Sequence, residues 1–175
     1  NYTNGFTVEM ERDVRIRIVN SNGFDYADIE LPFSSSDKIT WYKASSFNLR
    51  NGTITETPVQ KKSFILEKST KYRNLLKFNF PDVHEGTIIE YSYTVELKDE
   101  AIYTLTPWVF QTSIPIVYSS LIVAYPEFFS YKTIISGNPR LVNSQITSRN
   151  QMFVGLSTKI ITYNWFAQNV PSLKE

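Results

Sequence analysis

Cysteine is absent from this 175-residue sequence, and histidine occurs only once, as His84. Without cysteine the chain has no disulfide bonds, no thiolate metal ligands and no cysteine nucleophile. Zinc sites use three or four ligands, and structural zinc is usually held by Cys or His. A site here would therefore have to be built mainly from carboxylates.

The motifs that accompany common catalytic sites are also missing. No G-x-S-x-G nucleophile elbow occurs, and no G-x-x-x-x-G-K or G-x-G-x-x-G phosphate loop is present. Neighbouring carboxylates such as Glu9 and Glu11 lie in charged strand faces, where solvation is their usual role. The sequence therefore predicts no catalytic residue, no metal site and no cofactor, which argues against an independent enzyme.

Excess charge of either sign is lacking as well. Lys and Arg number 18 and Asp and Glu number 17, so the net charge is +1, and nucleic-acid binding is not expected. Hydrophobic residues make up 42% and charged residues 20%, values that are ordinary for a folded globular protein. The length suits one domain. The first ten residues, NYTNGFTVEM, lack the pattern of a signal peptide.

One long segment, residues 101–126, contains no charged side chain and exceeds the length of a membrane-spanning helix. Pro107, Pro115 and Pro126 interrupt it, and Gln111 would have to lie in hydrocarbon. We therefore predict two or three buried strands joined by proline turns, and no transmembrane segment.

Elsewhere apolar residues recur mainly at every second position. Apolar residues alternate with charged ones in VEMERDVRIRIV, and the turn-forming NSNG precedes FDYADIELPF, which predicts a first β-hairpin. A second hairpin is predicted around residues 50–52, where Ile39, Trp41, Phe47 and Leu49 share one parity in the strand before the turn. KKSFILEK and YRNLLKFNFP predict two more strands, with Tyr72, Leu76, Phe78 and Phe80 on one face.

The stretch that contains His84 is predicted to be a turn followed by a strand. In TIIEYSYTVEL, apolar residues including Tyr91 and Tyr93 alternate with polar ones, which places Glu90 on a solvated face. His84 precedes Glu85 and Gly86, a pair typical of a turn. The near-terminal run SQITSRNQMFVGLSTKIITYNWFAQ predicts two strands about Gly155. The fold class is thus all-β: an antiparallel two-sheet β-sandwich with few or no helices.

Two proline-containing segments are predicted to have structural roles. In PWVFQ, Trp108 and Phe110 share parity and should face the core, and the amide of Gln111, if buried, should bond to nearby backbone. Near the end of the chain, Pro171 cannot donate a backbone hydrogen bond and restricts Val170 to extended geometry, so strand pairing should end there.

The order of several landmarks resembles the domain-of-unknown-function family that precedes transglutaminase-like (Cys-His-Asp) domains in secreted bacterial proteins. The resemblance rests on YADIELPF, FNFPDVHEGTIIEYSYTVEL, PWVFQTSIPIVYS and FAQNVPSLKE. The landmark residues are Pro81, Gly86, Ile89, Glu90, Tyr91, Tyr93, Trp108, Phe110, Gln111, Pro115, Asn169 and Pro171.

This resemblance implies a β-sandwich module over residues 1–168 and a connector over 169–175 that leads to a transglutaminase-like domain. It implies a noncatalytic N-terminal module that packs on or orients that domain of the same polypeptide, in a secreted or periplasmic bacterial protein. The isolated module should expose an apolar patch near the C-terminal strand, at Trp165 or Phe166. The alternative is a carbohydrate- or peptide-binding module, because 12 Phe, 11 Tyr and 3 Trp could provide stacking surfaces, although strands and cores also favour aromatics.

Overall fold

The computed structural model describes residues 7–98, 105–138, 141–153 and 155–173. The chain divides into two compact units, Asn1–Leu105 and Thr106–Glu175. In chain order the strands are β1 (Val8–Arg17), β2 (Asp28–Ser34), β3 (Lys38–Arg50), β4 (Thr53–Pro58), β5 (Ile65–Lys68), β6 (Arg73–Asn79), β7 (Ile88–Leu97), β8 (Ile116–Pro126), β9 (Asn143–Phe153) and β10 (Leu156–Val170). Within the described residues the helices are two short 3₁₀ segments, Ser21–Ala27 and Lys61–Ser63.

The strands form three antiparallel sheets. The first unit contains a four-stranded sheet in the order β1-β7-β3-β4 and a three-stranded sheet in the order β2-β6-β5. The second unit contains a three-stranded sheet in the order β8-β10-β9. The predicted all-β antiparallel class with few helices is confirmed, and the described strands form three sheets where the sequence analysis expected two.

The alternation in the first predicted strand decides which of its faces is buried. In β1, Val14 lies opposite Tyr91 of β7 and Ile16 lies opposite Ile89, so their side chains share the inner face. Arg15 lies opposite Glu90 on the outer face, where the two side chains form an ion pair. The predicted solvated face of Glu90 is therefore a partly exposed, charge-paired face.

A single buried cluster in the first unit collects side chains from both of its sheets. Leu76, Phe78 and Phe80 come from β6 and the residue after it, and Ile89 comes from β7. The outer surface of the three-stranded sheet is polar: Lys77 lies between Glu30 and Glu67 and pairs with both, which raises its pKa. Apolar burial on one face and charge on the other is the pattern that the sequence predicted for a half-buried sheet.

The predicted first hairpin is wrong. NSNG does not reverse the chain between two paired strands: β1 pairs with β7, and β2 pairs with β6 in the other sheet. Asn20 caps the 3₁₀ helix Ser21–Ala27 by accepting a hydrogen bond from the Asn22 N–H through its side chain at 3.1 Å. This helix carries the chain from one sheet to the other, so both strands find long-range partners.

Two predicted assignments of side chains to faces are also wrong. Tyr72 does not share the buried face of Leu76 and Phe78, because it precedes β6 and is 73% exposed. Ile39 and Trp41 do not share a face, because the β3–β7 register shifts between them. The second hairpin itself is confirmed, since β3 and β4 pair antiparallel across the turn at Asn51 and Gly52, both with positive φ.

The second unit contains a long terminal hairpin. β9 and β10 pair along their length, and Gly155 adopts a φ of 78° between them, so the predicted two strands about Gly155 are confirmed. The predicted two or three buried strands in residues 101–126 are not found: β8 is the strand in the described part of this segment, and its Val117 is 79% exposed. Residues 101–104 lie outside the described residues. No helix among the described residues is long and apolar enough to cross a membrane.

Candidate functional site

The segment 107–112 lies against the second sheet without forming a strand. Trp108 and Phe110 are half-buried, whereas Val109 between them is exposed, so their burial alternates as predicted. The indole N–H of Trp108 donates to the hydroxyl of Ser119 in β8 at 3.0 Å. Because indole N–H groups need a partner when they leave water, this bond fixes the ring against the sheet.

The same segment holds the end of the chain. The side-chain amide of Gln111 donates to the main-chain carbonyl of Pro171 at 2.9 Å, and the N–H of Leu173 donates to the carbonyl of Thr112 at 2.8 Å. Pairing of β10 stops at Val170, immediately before Pro171, as predicted. The residues from 171 to 173 are therefore tied to the body of the second unit by two hydrogen bonds that involve no strand.

We expect Gln111→Leu to release this terminal segment. The variant keeps the side-chain bulk but leaves the Pro171 carbonyl without its donor, which should lower the free energy of unfolding by about 1 kcal/mol. Amide hydrogen exchange at Leu173 should accelerate because its bond to Thr112 lies next to the lost one. Gln168→Leu on β10 is the matched control, since Gln168 is exposed; equal acceleration in both variants would contradict the anchoring role of Gln111.

Tyr91 and Tyr93, two landmark residues of the family resemblance, lie on the inner face of β7. Their rings stack at 6.4 Å, and Tyr91 also contacts Phe78 at 5.9 Å in an edge-on arrangement. Burial raises the pKa of Tyr91, an effect that the charge of Arg12 partly opposes. Tyr91 therefore stays neutral at physiological pH, and both rings pack in the interior of the first unit.

The turn that contains His84 is held by hydrogen bonds of the His84 main chain. The His84 N–H donates to the hydroxyl of Thr87 at 2.9 Å, and the Thr87 N–H donates to the His84 carbonyl at 3.1 Å. The imidazole is exposed, and its one hydrogen-bond partner among the residues that the structure describes is the neighbouring Glu85 carbonyl, 2.9 Å from Nδ1. The described residues contain no group of three or more His, Asp or Glu side chains that could hold a metal.

We expect His84→Gln to change the free energy of unfolding by less than about 0.5 kcal/mol, because the bonds of the turn use the main chain of this residue. It should also leave unchanged any activity of the intact protein. Urea unfolding of the variant, and metal titration of both proteins, would check this. Loss of activity, or loss of metal binding shown by the parent, would contradict a structural turn histidine.

A buried polar cluster beneath this turn escaped the sequence analysis. Asn48 in β3 donates to the main-chain carbonyl of Asp82 at 2.8 Å and accepts from the Thr87 hydroxyl at 2.6 Å. Ser46 donates to the carbonyl of Pro81 at 2.6 Å. Asp82 has a positive φ of 55°, a conformation that Asp tolerates better than most residues, and Arg50 binds its carboxylate at 2.7 Å. The cluster clamps the turn to the sheet.

The sequence analysis also missed an open groove in the four-stranded sheet, at strands β1, β7 and β3. The groove has a volume of about 420 Å³ and contains Trp41, which is 51% exposed. Its lining residues are Glu11, Arg12, Asp13, Trp41, Ser92, Tyr93 and Thr94. The signal in the sequence was a tryptophan among polar strand residues, and it was read as part of an apolar face.

The described residues define an all-β antiparallel protein. The chain belongs to the family described as "Domain of Unknown Function with solved-structure structure (DUF3857)", which matches residues 5–174. No curated protein matches it.

One solved structure with a similar fold is the 2.00 Å crystal structure of a "putative protease" from Parabacteroides distasonis ATCC 8503. The TM-score is 0.62 at 12% sequence identity. The match covers 95% of this chain and 33% of that chain, so this chain spans about a third of the length of the protein it matches. At this identity the likeness concerns the fold.

Proposed function

We propose that this chain is a noncatalytic accessory module that lies N-terminal to a transglutaminase-like or cysteine peptidase-like domain and packs on or orients it. The observation that carries the proposal is the match of nearly the whole chain to a third of a longer "putative protease". In that protein most of the chain lies outside the matched region. Family membership over residues 5–174 agrees with the landmark order on which the transglutaminase-like context was inferred.

The anchored C-terminal segment supports an orienting role. Gln111 and Thr112 hold Pro171 and Leu173 by hydrogen bonds, so the chain leaves β10 in a defined direction. A Gly/Ser linker would leave the following domain free to swing, whereas a proline-containing segment tied to the module restricts it. Residues 169–175 act in this proposal as a semi-rigid connector, of which Asn169 and Val170 still belong to the strand.

Exposed apolar side chains near this connector provide a candidate contact surface. Tyr118 pairs with Gln168 near the end of β10, and Tyr118 and Leu173 are both more than half exposed. The expected members Trp165 and Phe166 are half-buried instead. Packing of a second domain on this surface would remove it from water, which stabilises association in proportion to the apolar area buried.

The orienting role is testable in the intact polypeptide by small-angle scattering. We expect one narrow distribution of separations between this module and the following domain, and a broader one in Gln111→Leu. Replacement of residues 171–175 by Gly and Ser is the positive control for free movement. A broad distribution in the parent, together with unchanged peptidase or transglutaminase activity after deletion of residues 1–168, would count against the proposal.

On the family resemblance we also propose that the protein lies outside the bacterial cytoplasm, as a secreted or periplasmic protein. The absence of cysteine is compatible with that compartment and does not select it. Fractionation of cells that express the full gene would test this assignment. Recovery of the protein in the cytoplasmic fraction alone would contradict it.

A further inference from the structure

Positive charge is concentrated in residues 60–73, at one edge of the three-stranded sheet of the first unit. The segment contains the 3₁₀ helix Lys61–Ser63, the edge strand β5 and the turn that leads into β6. It has five cationic side chains and one carboxylate, that of Glu67, so its net charge is +4, whereas the whole chain has +1. The cations are Lys61, Lys62, Lys68, Lys71 and Arg73. The rest of the chain therefore carries −3, the difference between these two values.

Carboxylates of the protein do not neutralise these cations. Among the described residues, none of the five takes part in an ion pair. Glu67, the carboxylate of the segment, is held by Lys77 of β6 at 3.0 Å. The amine of Lys71 lies 5.3 Å from the ring centroid of Tyr72, and both side chains are exposed. The positive field of the segment therefore extends into solvent, where it attracts anions.

Exposed apolar side chains lie between the cations. Ile65 and Leu66 in β5 are 58% and 67% exposed, and Tyr72 in the following turn is 73% exposed. Because Ile65 and Leu66 are adjacent in a strand, they point to opposite faces, and the sheet edge presents apolar groups on both sides. Phe64 is half-buried and packs against Phe78, with the ring centroids 4.7 Å apart. The segment is thus a basic, apolar edge that Phe64 and the pairing with β6 hold to the first unit.

Two kinds of anionic partner fit this edge poorly. Lysines on a short edge strand discourage pairing with another strand, and β5 has four residues, so an acidic peptide strand is not favoured. Single-stranded nucleic acid is held by bases that stack on aromatic rings, but the amine of Lys71 already lies over the ring of Tyr72. The partner must be anionic and must also accept aliphatic side chains without a shaped pocket.

We propose that residues 60–73 dock on the surface of a membrane that contains anionic phospholipids. The cations lie among the headgroup phosphates, and Ile65, Leu66 and Tyr72 enter the boundary between headgroups and acyl chains, where apolar surface leaves water. Docking is shallow, because the free edge of β5 carries unpaired backbone N–H and C=O groups that need water or phosphate partners. This binding goes beyond the proposed accessory role and does not depend on it.

The test is co-sedimentation of the 175-residue chain with vesicles of phosphatidylcholine alone, or of equal parts of phosphatidylcholine and phosphatidylglycerol. We expect binding to the anionic vesicles to be at least about tenfold tighter, since each Lys or Arg near an anionic surface contributes about a fivefold factor. Raising the salt from about 0.1 M to about 1 M should weaken it, because the Debye length falls from about 10 Å to about 3 Å.

Lys68→Gln combined with Lys71→Gln tests the contribution of charge. The partition coefficient for anionic vesicles should fall at least about tenfold. Lys132→Gln combined with Lys159→Gln is the matched control, because it removes the same charge from exposed positions of the second unit. It should stay within about twofold of the parent, since screening confines the effect of a charge to its surroundings. Equal losses in the two double variants would overturn the location of the site.

Leu66→Ser tests the entry of apolar side chains into the membrane. It should lower the partition coefficient about threefold or more, because less apolar surface leaves water, whereas Ile146→Ser at a 61% exposed position of β9 should not. Circular dichroism spectra of all variants should match that of the parent, since the replaced side chains are exposed. Absence of binding to anionic vesicles would overturn the proposal. Equally tight binding to polyglutamate or single-stranded DNA, with no effect of Leu66→Ser, would also overturn it, because the segment would then be a general polyanion site.

Discussion

Phe78→Ala should lower the free energy of unfolding of the first unit by about 3–5 kcal/mol, the usual cost of removing a buried phenylalanine ring. Phe78 is 3% exposed. Its ring contacts Phe64, Phe80 and Tyr91 at centroid distances of 4.7, 5.6 and 5.9 Å. These neighbours come from different parts of the chain, so removal of the ring opens a cavity that no single strand can close.

Phe24→Ala provides the comparison within the same unit, because Phe24 is 40% exposed in the first 3₁₀ helix. Its cost should be clearly smaller, about 1–2 kcal/mol, because a much larger share of its surface stays in contact with water in the folded state. Urea unfolding followed by circular dichroism would measure both variants. Equal destabilisation by the two substitutions would contradict the placement of Phe78 at the centre of the core.

Strand positions could be predicted from the sequence because the apolar period is a local property. In β7, Ile89, Tyr93 and Val95 are buried where the alternation placed them inside, and Tyr91 and Leu97 on the same face are half-buried. The same rule located β1, β6 and the β9–β10 hairpin. A strand with one buried face must alternate in this way, and no knowledge of its partner is required.

Strand partners could not be predicted in the same way. NSNG has the composition of a hairpin turn, but the main chain of Ile18 already bonds to Thr87 and Gly86, which lie far along the chain. Those bonds hold the end of β1 beside the turn before β7. Local turn chemistry was therefore outweighed by pairing with a distant strand, which also buries the inner face of β1.

The candidate sites depend on structural details that the two-residue apolar alternation of the sequence does not encode. The bulge before Trp41 inverts the parity of one residue relative to Ile39, and an extra residue in a strand leaves no signature in its composition. The amide of Gln111 was expected to bond to backbone, but its acceptor, the Pro171 carbonyl, lies 60 residues away. Such partners are defined only by the tertiary structure.

Asn48→Leu should lower the free energy of unfolding by about 3 kcal/mol, because the Asp82 carbonyl and the buried Thr87 hydroxyl would each lose a partner at about 1–3 kcal/mol. Asn48 is 1% exposed in β3. The substitution would leave the Asp82 carbonyl without its 2.8 Å donor and the Thr87 hydroxyl without its 2.6 Å acceptor. Asn150→Leu, at an exposed strand position of β9, should cost under about 0.5 kcal/mol.

A double-mutant cycle with Thr87→Val would distinguish energetic coupling between the two side chains from independent contributions of each side chain. Thr87 is fully buried, and its hydroxyl both donates to Asn48 and accepts from the His84 N–H, so Asn48 is tied through it to the turn. If the three groups act as one network, the costs of Asn48→Leu and Thr87→Val should fall short of additivity by about 1 kcal/mol or more. Additive costs would mean that each side chain is held independently, and that the turn before β7 keeps its position without the hydrogen bond between them.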